Sequence, residues 1–79
     1  MKYVYILQSL TDNERFYAGI TDDLKSRLSA HNSAAVTHTS KWRPWLVKTY
    51  IAFTDEARAT AFEKYLKSGS GRAFAKARL

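Results

Sequence analysis

The stretch that most constrains this chain is Lys2–Gln8, KYVYILQ. Aromatic and β-branched residues dominate it, and its apolar side chains sit at consecutive positions instead of alternating ones. A strand with one wet face alternates. A strand that is apolar on both faces belongs in the middle of a sheet that is covered on each side. With 79 residues there is room for one small sheet and a few helices. The expectation is a single domain over residues 1–79 with a hydrophobic fraction of 46%, enough for one small core.

The rest of the chain supplies the partners of that strand. LTDNER (10–15) has the Asp and Asn of a turn, and RFYAGIT (15–21) reads as a second strand, which makes the first two strands an antiparallel hairpin. Thr21-Asp22-Asp23 opens a helix, with Thr21 or Asp22 as cap. Leu24, Leu28 and His31 share one face, Arg27 borders it, and the helix stops near Asn32. Residues 33–45 read as a polar loop in which Pro44 disfavours helix. Leu46–Phe53 reads as a third strand. Thr54-Asp55-Glu56 opens a second long helix with Ala59, Phe62 and Leu66 along one face. Gly69 is placed as its C-terminal cap, and Ser70 as the cap of a short last helix. The fold class is therefore α+β: a small three-stranded antiparallel or mixed sheet flanked by helices, in the order β-β-α-β-α-α.

Charge narrows the partners. The formal charge is +6, and it is unevenly spread. Residues 1–40 balance, whereas residues 41–79 carry nine basic residues against Asp55, Glu56 and Glu63 and so hold the whole excess. A concentrated basic end suits a polyanion, although a solvated basic face would look the same. There is no cysteine, so disulfides and thiolate metal sites are excluded and a reducing, cytoplasmic setting is expected. No apolar run reaches the length of a membrane span, and MKYVYILQS lacks a signal-peptide cleavage pattern.

Several residues then fall into an ordered set. Tyr3-Val4-Tyr5 lies on the first strand and Tyr17-Ala18-Gly19 on the second; Arg27 follows ten residues after Tyr17, His31 one helical turn later, and Glu63 lies within the second long helix. With Gly19-Ile20-Thr21-Asp22-Asp23-Leu24, His31-Asn32, Thr39-Ser40-Lys41, Arg43-Pro44 and Lys64–Gly69, this set resembles the GIY-YIG nuclease superfamily, in particular its small stand-alone bacterial members. The likeness spans essentially the whole chain. There are departures. Tyr3 stands where the first motif has its glycine, and Ala18 is the middle residue of the second. Ile20 and Thr21 occupy a stretch where some members carry a lysine, and a late asparagine of larger members has no counterpart.

The resemblance implies a metal-dependent DNA endonuclease; with 79 residues there is little room for sequence-reading elements, so low sequence specificity and a preference for single-stranded or branched DNA are expected. The resemblance also implies Glu63 as the ligand of Mg²⁺ or Mn²⁺. Glu63 could otherwise pair with Lys67 at i+4. Tyr17 is implied as the residue that orients or deprotonates water, with Tyr5 in support, although strand tyrosines ordinarily pack in cores. Arg27 would clamp a phosphate and His31 would bond a tyrosine hydroxyl or take its proton. His38 reads as a plain loop residue. Lys41, Trp42, Arg43, Lys67, Arg72 and Lys76 are candidate nucleic-acid contacts; Trp45 reads as core, and Trp42 as either core or a base-stacking platform. The expected state is a monomer or weak homodimer. The alternative function is a nucleic-acid-binding module on the same scaffold with little or no turnover, motivated by the absent lysine and asparagine.

Overall fold

A computed structural model describes residues 1–79. It contains β1 (Lys2–Ser9), β2 (Phe16–Thr21), α1 (Leu24–Asn32), a 3-10 helix at Thr37–Trp42, β3 (Trp45–Phe53), α2 (Glu56–Leu66) and α3 (Gly69–Arg78). The sheet is wholly antiparallel, in the order β2-β1-β3, so the doubly apolar strand is the central one. Side chains alternate across a strand, and β1 therefore feeds two cores. Val4 and Ile6 pack with Ala59 and Leu66 on the face covered by α2 and α3. Tyr5 and Leu7 pack with Trp45, Leu24 and Leu28 on the face covered by α1. No helix is long and apolar enough to cross a membrane.

Local chemistry sets the element ends, and four sequence expectations are corrected there. Asp23, not Thr21 or Asp22, caps α1 by accepting from the Ser26 N–H at 3.1 Å. The Thr21 hydroxyl instead accepts from the Asp23 N–H at 3.1 Å and shapes the turn before the helix. The stretch expected to be a polar loop contains the 3-10 helix, because threonine and serine hydroxyls bond carbonyls three residues back: Thr39 to Val36 at 3.2 Å and Ser40 to Thr37 at 2.8 Å. Ser68, not Ser70, caps α3, and Gly69 is its first residue instead of a cap for α2. One Ser68 hydroxyl donates to the Tyr65 carbonyl at 2.6 Å and accepts from the Gly71 N–H at 3.1 Å, closing the end of one helix and the start of the next.

Register decides which side chains share a face. Tyr5 pairs with Gly19 and Leu7 with Tyr17, so Tyr5 and Tyr17 project to the same side of the hairpin. Between β1 and β3, Ile6 pairs with Thr49 and Leu7 with Val47, which leaves Lys48 as an extra, bulged residue.

Two positions carry the backbone close to its limits, in opposite senses. Ala34 has φ 67°, the left-handed region, and the Ala35 N–H bonds the Ala30 carbonyl at 3.0 Å, the long-range bond of a Schellman ending. A glycine would take that conformation without the Cβ clash. Gly71 is buried, and a Cβ there would strike the Tyr65 carbonyl of α2. Urea unfolding should show Ala34→Gly stabilising by about 1 kcal/mol and Gly71→Ala destabilising by roughly 1–3 kcal/mol; a neutral Gly71→Ala would mean the α2–α3 contact is looser than described.

Candidate active site

The candidate residues gather around the edge strand β2, with α1 on one face of the sheet and α2 on the other. At their centre is a buried chain of polar groups. The Tyr5 hydroxyl lies 3.1 Å from His31 Nε2, and His31 Nδ1 lies 2.8 Å from Thr39 Oγ1. Proton positions follow from the last link. The Val36 carbonyl can only accept, so it takes the Thr39 hydroxyl proton at 3.2 Å. The Thr39 oxygen is then left to accept from His31 Nδ1–H. His31 Nε2 carries the lone pair, and the Tyr5 O–H donates to it. His31 and Thr39 are buried, and no buried side-chain polar atom is without a partner.

Further bonds hold that chain in place. The Trp45 indole N–H donates to the Thr39 carbonyl at 2.9 Å. Asn32 binds the Trp45 backbone twice, Nδ2 to the carbonyl at 3.0 Å and Oδ1 from the N–H at 2.6 Å. The end of α1, the 3-10 helix and the start of β3 are thereby tied together. Gly19 is buried directly beneath the Tyr5 ring, and a Cβ there would occupy the space of the phenol. The glycine of the second motif thus has a steric cause: it lets the neighbouring strand's tyrosine lie flat enough to reach His31.

Tyr17 stands at the mouth. Its ring centroid is 5.0 Å from that of His31 and 6.5 Å from that of Tyr5. Arg27, half-buried on α1, presents its guanidinium to both tyrosine hydroxyls, and their proximity raises its pKa further. Burial pushes the Tyr5 hydroxyl up, partly offset by Arg27. Burial first, then the charges of Arg27 and His38, pushes His31 down to about 4. His31 is therefore a neutral hydrogen-bond acceptor near pH 7 and a weak base.

From the other side, Glu63 and Lys67 of α2 form an ion pair at 2.8 Å, with the Glu63 side chain only 18% exposed. The pair raises the Lys67 pKa, and the ammonium lies 5.4 Å from the Tyr17 ring centroid. The i+4 pairing of Glu63 with Lys67 is the contact that Glu63 makes here. Glu63 makes no direct hydrogen bond to the tyrosine–histidine chain. No three His, Cys, Asp or Glu residues cluster as a ready metal cage. A lone, shielded carboxylate that already attracts a cation suits a hard divalent ion, which would draw its other ligands from water and phosphate.

The structure also sorts the remaining candidates. Trp45 is core, as expected. Trp42 is half-buried against the same core, with the Arg15 guanidinium 4.1 Å above its ring and Lys41 at 5.5 Å. Arg43 Nε donates to the Ser40 carbonyl at 2.8 Å. Lys67, Arg72 and Lys76 line a groove on the other side of β2. Thr39 and His38 were not singled out as site residues; Thr39 anchors His31, and His38 lies 5.5 Å, centroid to centroid, from Tyr17. The available signal was the place of Thr39 in Thr39-Ser40-Lys41, part of the family resemblance, and burial gives it its role.

The fold is a small α+β domain in which Tyr5, Tyr17, Arg27 and His31 lie together on one side of the sheet. A family model of the GIY-YIG catalytic domain matches residues 1–76, and the chain belongs to that family. These are nuclease-type catalytic domains, which generally depend on a divalent metal and act on DNA. No curated protein gave a significant match to the chain.

The His31 shift sets a pH dependence. Unfolded, the imidazole titrates near 6.5; folded, near 4. Between those values the unfolded chain binds a proton that the native state refuses, so stability is full above pH 6.5, falls between 6.5 and 4, and levels off below 4. The loss is about 3 kcal/mol. Urea titrations at pH 7 and pH 4 should show this extra loss in the wild type and not in His31→Gln; equal slopes would mean that His31 is not held neutral by burial.

Proposed function

We propose that the protein is a metal-dependent DNA endonuclease that hydrolyses phosphodiester bonds with low sequence specificity. The observation that carries this reading is the convergence of Tyr5, Tyr17, Arg27 and His31 with the Glu63–Lys67 pair on one cleft at an open strand edge. Membership of the GIY-YIG family supports it.

In this reading each residue has a task suited to its surroundings. Arg27, a permanent cation, holds the scissile phosphate and stabilises charge that builds on it. Tyr17, partly exposed between Arg27 and Lys67, orients the attacking water through its hydroxyl oxygen. Tyr5 is a positioning residue: its own proton is committed to His31, so its oxygen lone pairs face Arg27. His31 fixes Tyr5 and is itself too weak a base to be the main proton acceptor near neutrality. Glu63 would hold Mg²⁺ or Mn²⁺, which when bound supplies charge neutralisation and help for the leaving oxygen. Lys67 brings a cation to the cleft from α2, beside a β2 in which Ile20 and Thr21 replace the lysine of some relatives. This weakens the case for a binding module without turnover.

One such site cuts one strand at a time, as a monomer or weak homodimer, and a cytoplasmic setting suits a cysteine-free chain. In so small a domain there is little structure to read bases, so single-stranded or branched DNA is the favoured substrate. Labelled single-stranded, nicked and duplex DNA incubated with Mg²⁺ or Mn²⁺, and with EDTA, tests the proposal. Metal-dependent cleavage should fall about 100-fold or more in Tyr17→Phe and disappear in Glu63→Ala, with both variants folded. Cleavage that persists in Glu63→Ala would remove the enzyme reading. Salt-sensitive binding without cleavage in the wild type would favour the binding module.

A further inference from the structure

A groove of about 750 Å³ opens on the helical side of β2 and shares Tyr17 and Lys67 with the catalytic cleft. Ile6, Ala18 and Leu66 lie within it. Its walls are cationic: Arg15 before β2, Lys48 from the bulge of β3, Lys67 from the end of α2, and Arg72 and Lys76 from α3, against the single acid Glu14. Lys48, Arg72 and Lys76 have no carboxylate within 4.0 Å. Phe16 stands on the rim, 46% exposed, with the Lys48 ammonium 4.9 Å from its ring centroid. An exposed aromatic ring beside unpaired cations matches a ligand with both phosphates and flat bases.

We infer that this groove holds an unpaired DNA strand as it leaves the catalytic cleft, with phosphates on Lys48, Arg72 and Lys76 and a base stacked on Phe16. The size is that of a small-molecule pocket, so it admits splayed nucleotides and not a duplex. Charge chooses an anion, and the exposed ring over an apolar floor chooses one with unpaired bases. The strand therefore passes around β2: the scissile phosphate on the α1 side, the single-stranded arm on the α3 side. The inference deepens the endonuclease reading by naming what distinguishes a branched or single-stranded substrate from a duplex, but groove binding is independent of turnover.

The test is fluorescence anisotropy at low salt with metal-free Glu63→Ala protein, using labelled oligothymidylate, a duplex with a single-stranded flap, and the blunt duplex. Lys48→Glu/Arg72→Glu/Lys76→Glu should weaken oligothymidylate and flap binding at least tenfold and erase the preference for flap over blunt duplex. A control with the same charge change elsewhere, Lys25→Glu/Arg58→Glu/Lys64→Glu, should keep that preference. Phe16→Ala should weaken oligothymidylate binding about tenfold and leave blunt-duplex binding unchanged. An equal loss for flap and blunt duplex, an equal effect of the two triple variants, or groove-dependent binding of oligouridylate alone would overturn the inference. Absence of cleavage in the wild type would sink the enzyme reading and leave this result standing.

Discussion

The buried chain from Tyr5 through His31 to Thr39 is the interaction on which the rest of the cleft depends. Each member is polar and lies where water does not reach, so each must find its partner inside the protein. That requirement places the 3-10 helix against α1, because only Thr39 can satisfy His31 Nδ1. It also places Trp45, whose indole and backbone are held by Thr39 and Asn32. A half-satisfied version of this network would cost more than an apolar core, which makes its geometry all-or-none. Tyr17 and Arg27 rest on that rigid base.

The sheet contributes by steric permission. Gly19 faces Tyr5 across the hairpin, and the absence of a side chain there lets the phenol cross the neighbouring strand. The hydrophobic faces of β1 then divide the labour. One holds the tyrosine chain against α1, and the other holds α2 and α3. Because β2 is an edge strand, the two faces meet around it, and Lys67 can reach Tyr17 from the opposite layer. The cleft and the cationic groove are two sides of the same edge.

Electrostatics gives the two sides different characters. In the cleft, cations are paired or face tyrosine oxygens, and burial keeps His31 uncharged. In the groove, Lys48, Arg72 and Lys76 face solvent without acidic partners. The first arrangement is suited to holding one phosphate in a fixed pose, and the second to attracting a strand without fixing it. Five of the thirteen basic residues of the chain, Arg15, Lys48, Lys67, Arg72 and Lys76, line that groove.

Much of this was legible in the sequence, and the boundary is physical. The unbroken apolar run of β1 dictated a central strand, and periodicity marked the helices, because those patterns depend on a residue's near neighbours alone. One helical turn was enough to align Arg27 with His31, whereas the observed register, Tyr5 with Gly19 and Leu7 with Tyr17, put the two tyrosines on one face. Packing decided the rest. Thr39 became an anchor only when the 3-10 helix closed over His31. Lys48 joined Arg72 and Lys76 through a bulge that no pattern announced. Helix boundaries moved because Asp23 and Ser68, not their neighbours, had hydroxyl or carboxylate oxygens at the right distance from free N–H groups. Alternation, helical spacing and chain order are local and can be read from sequence. Which polar group meets which across elements is settled only when burial forces every donor and acceptor to be paired.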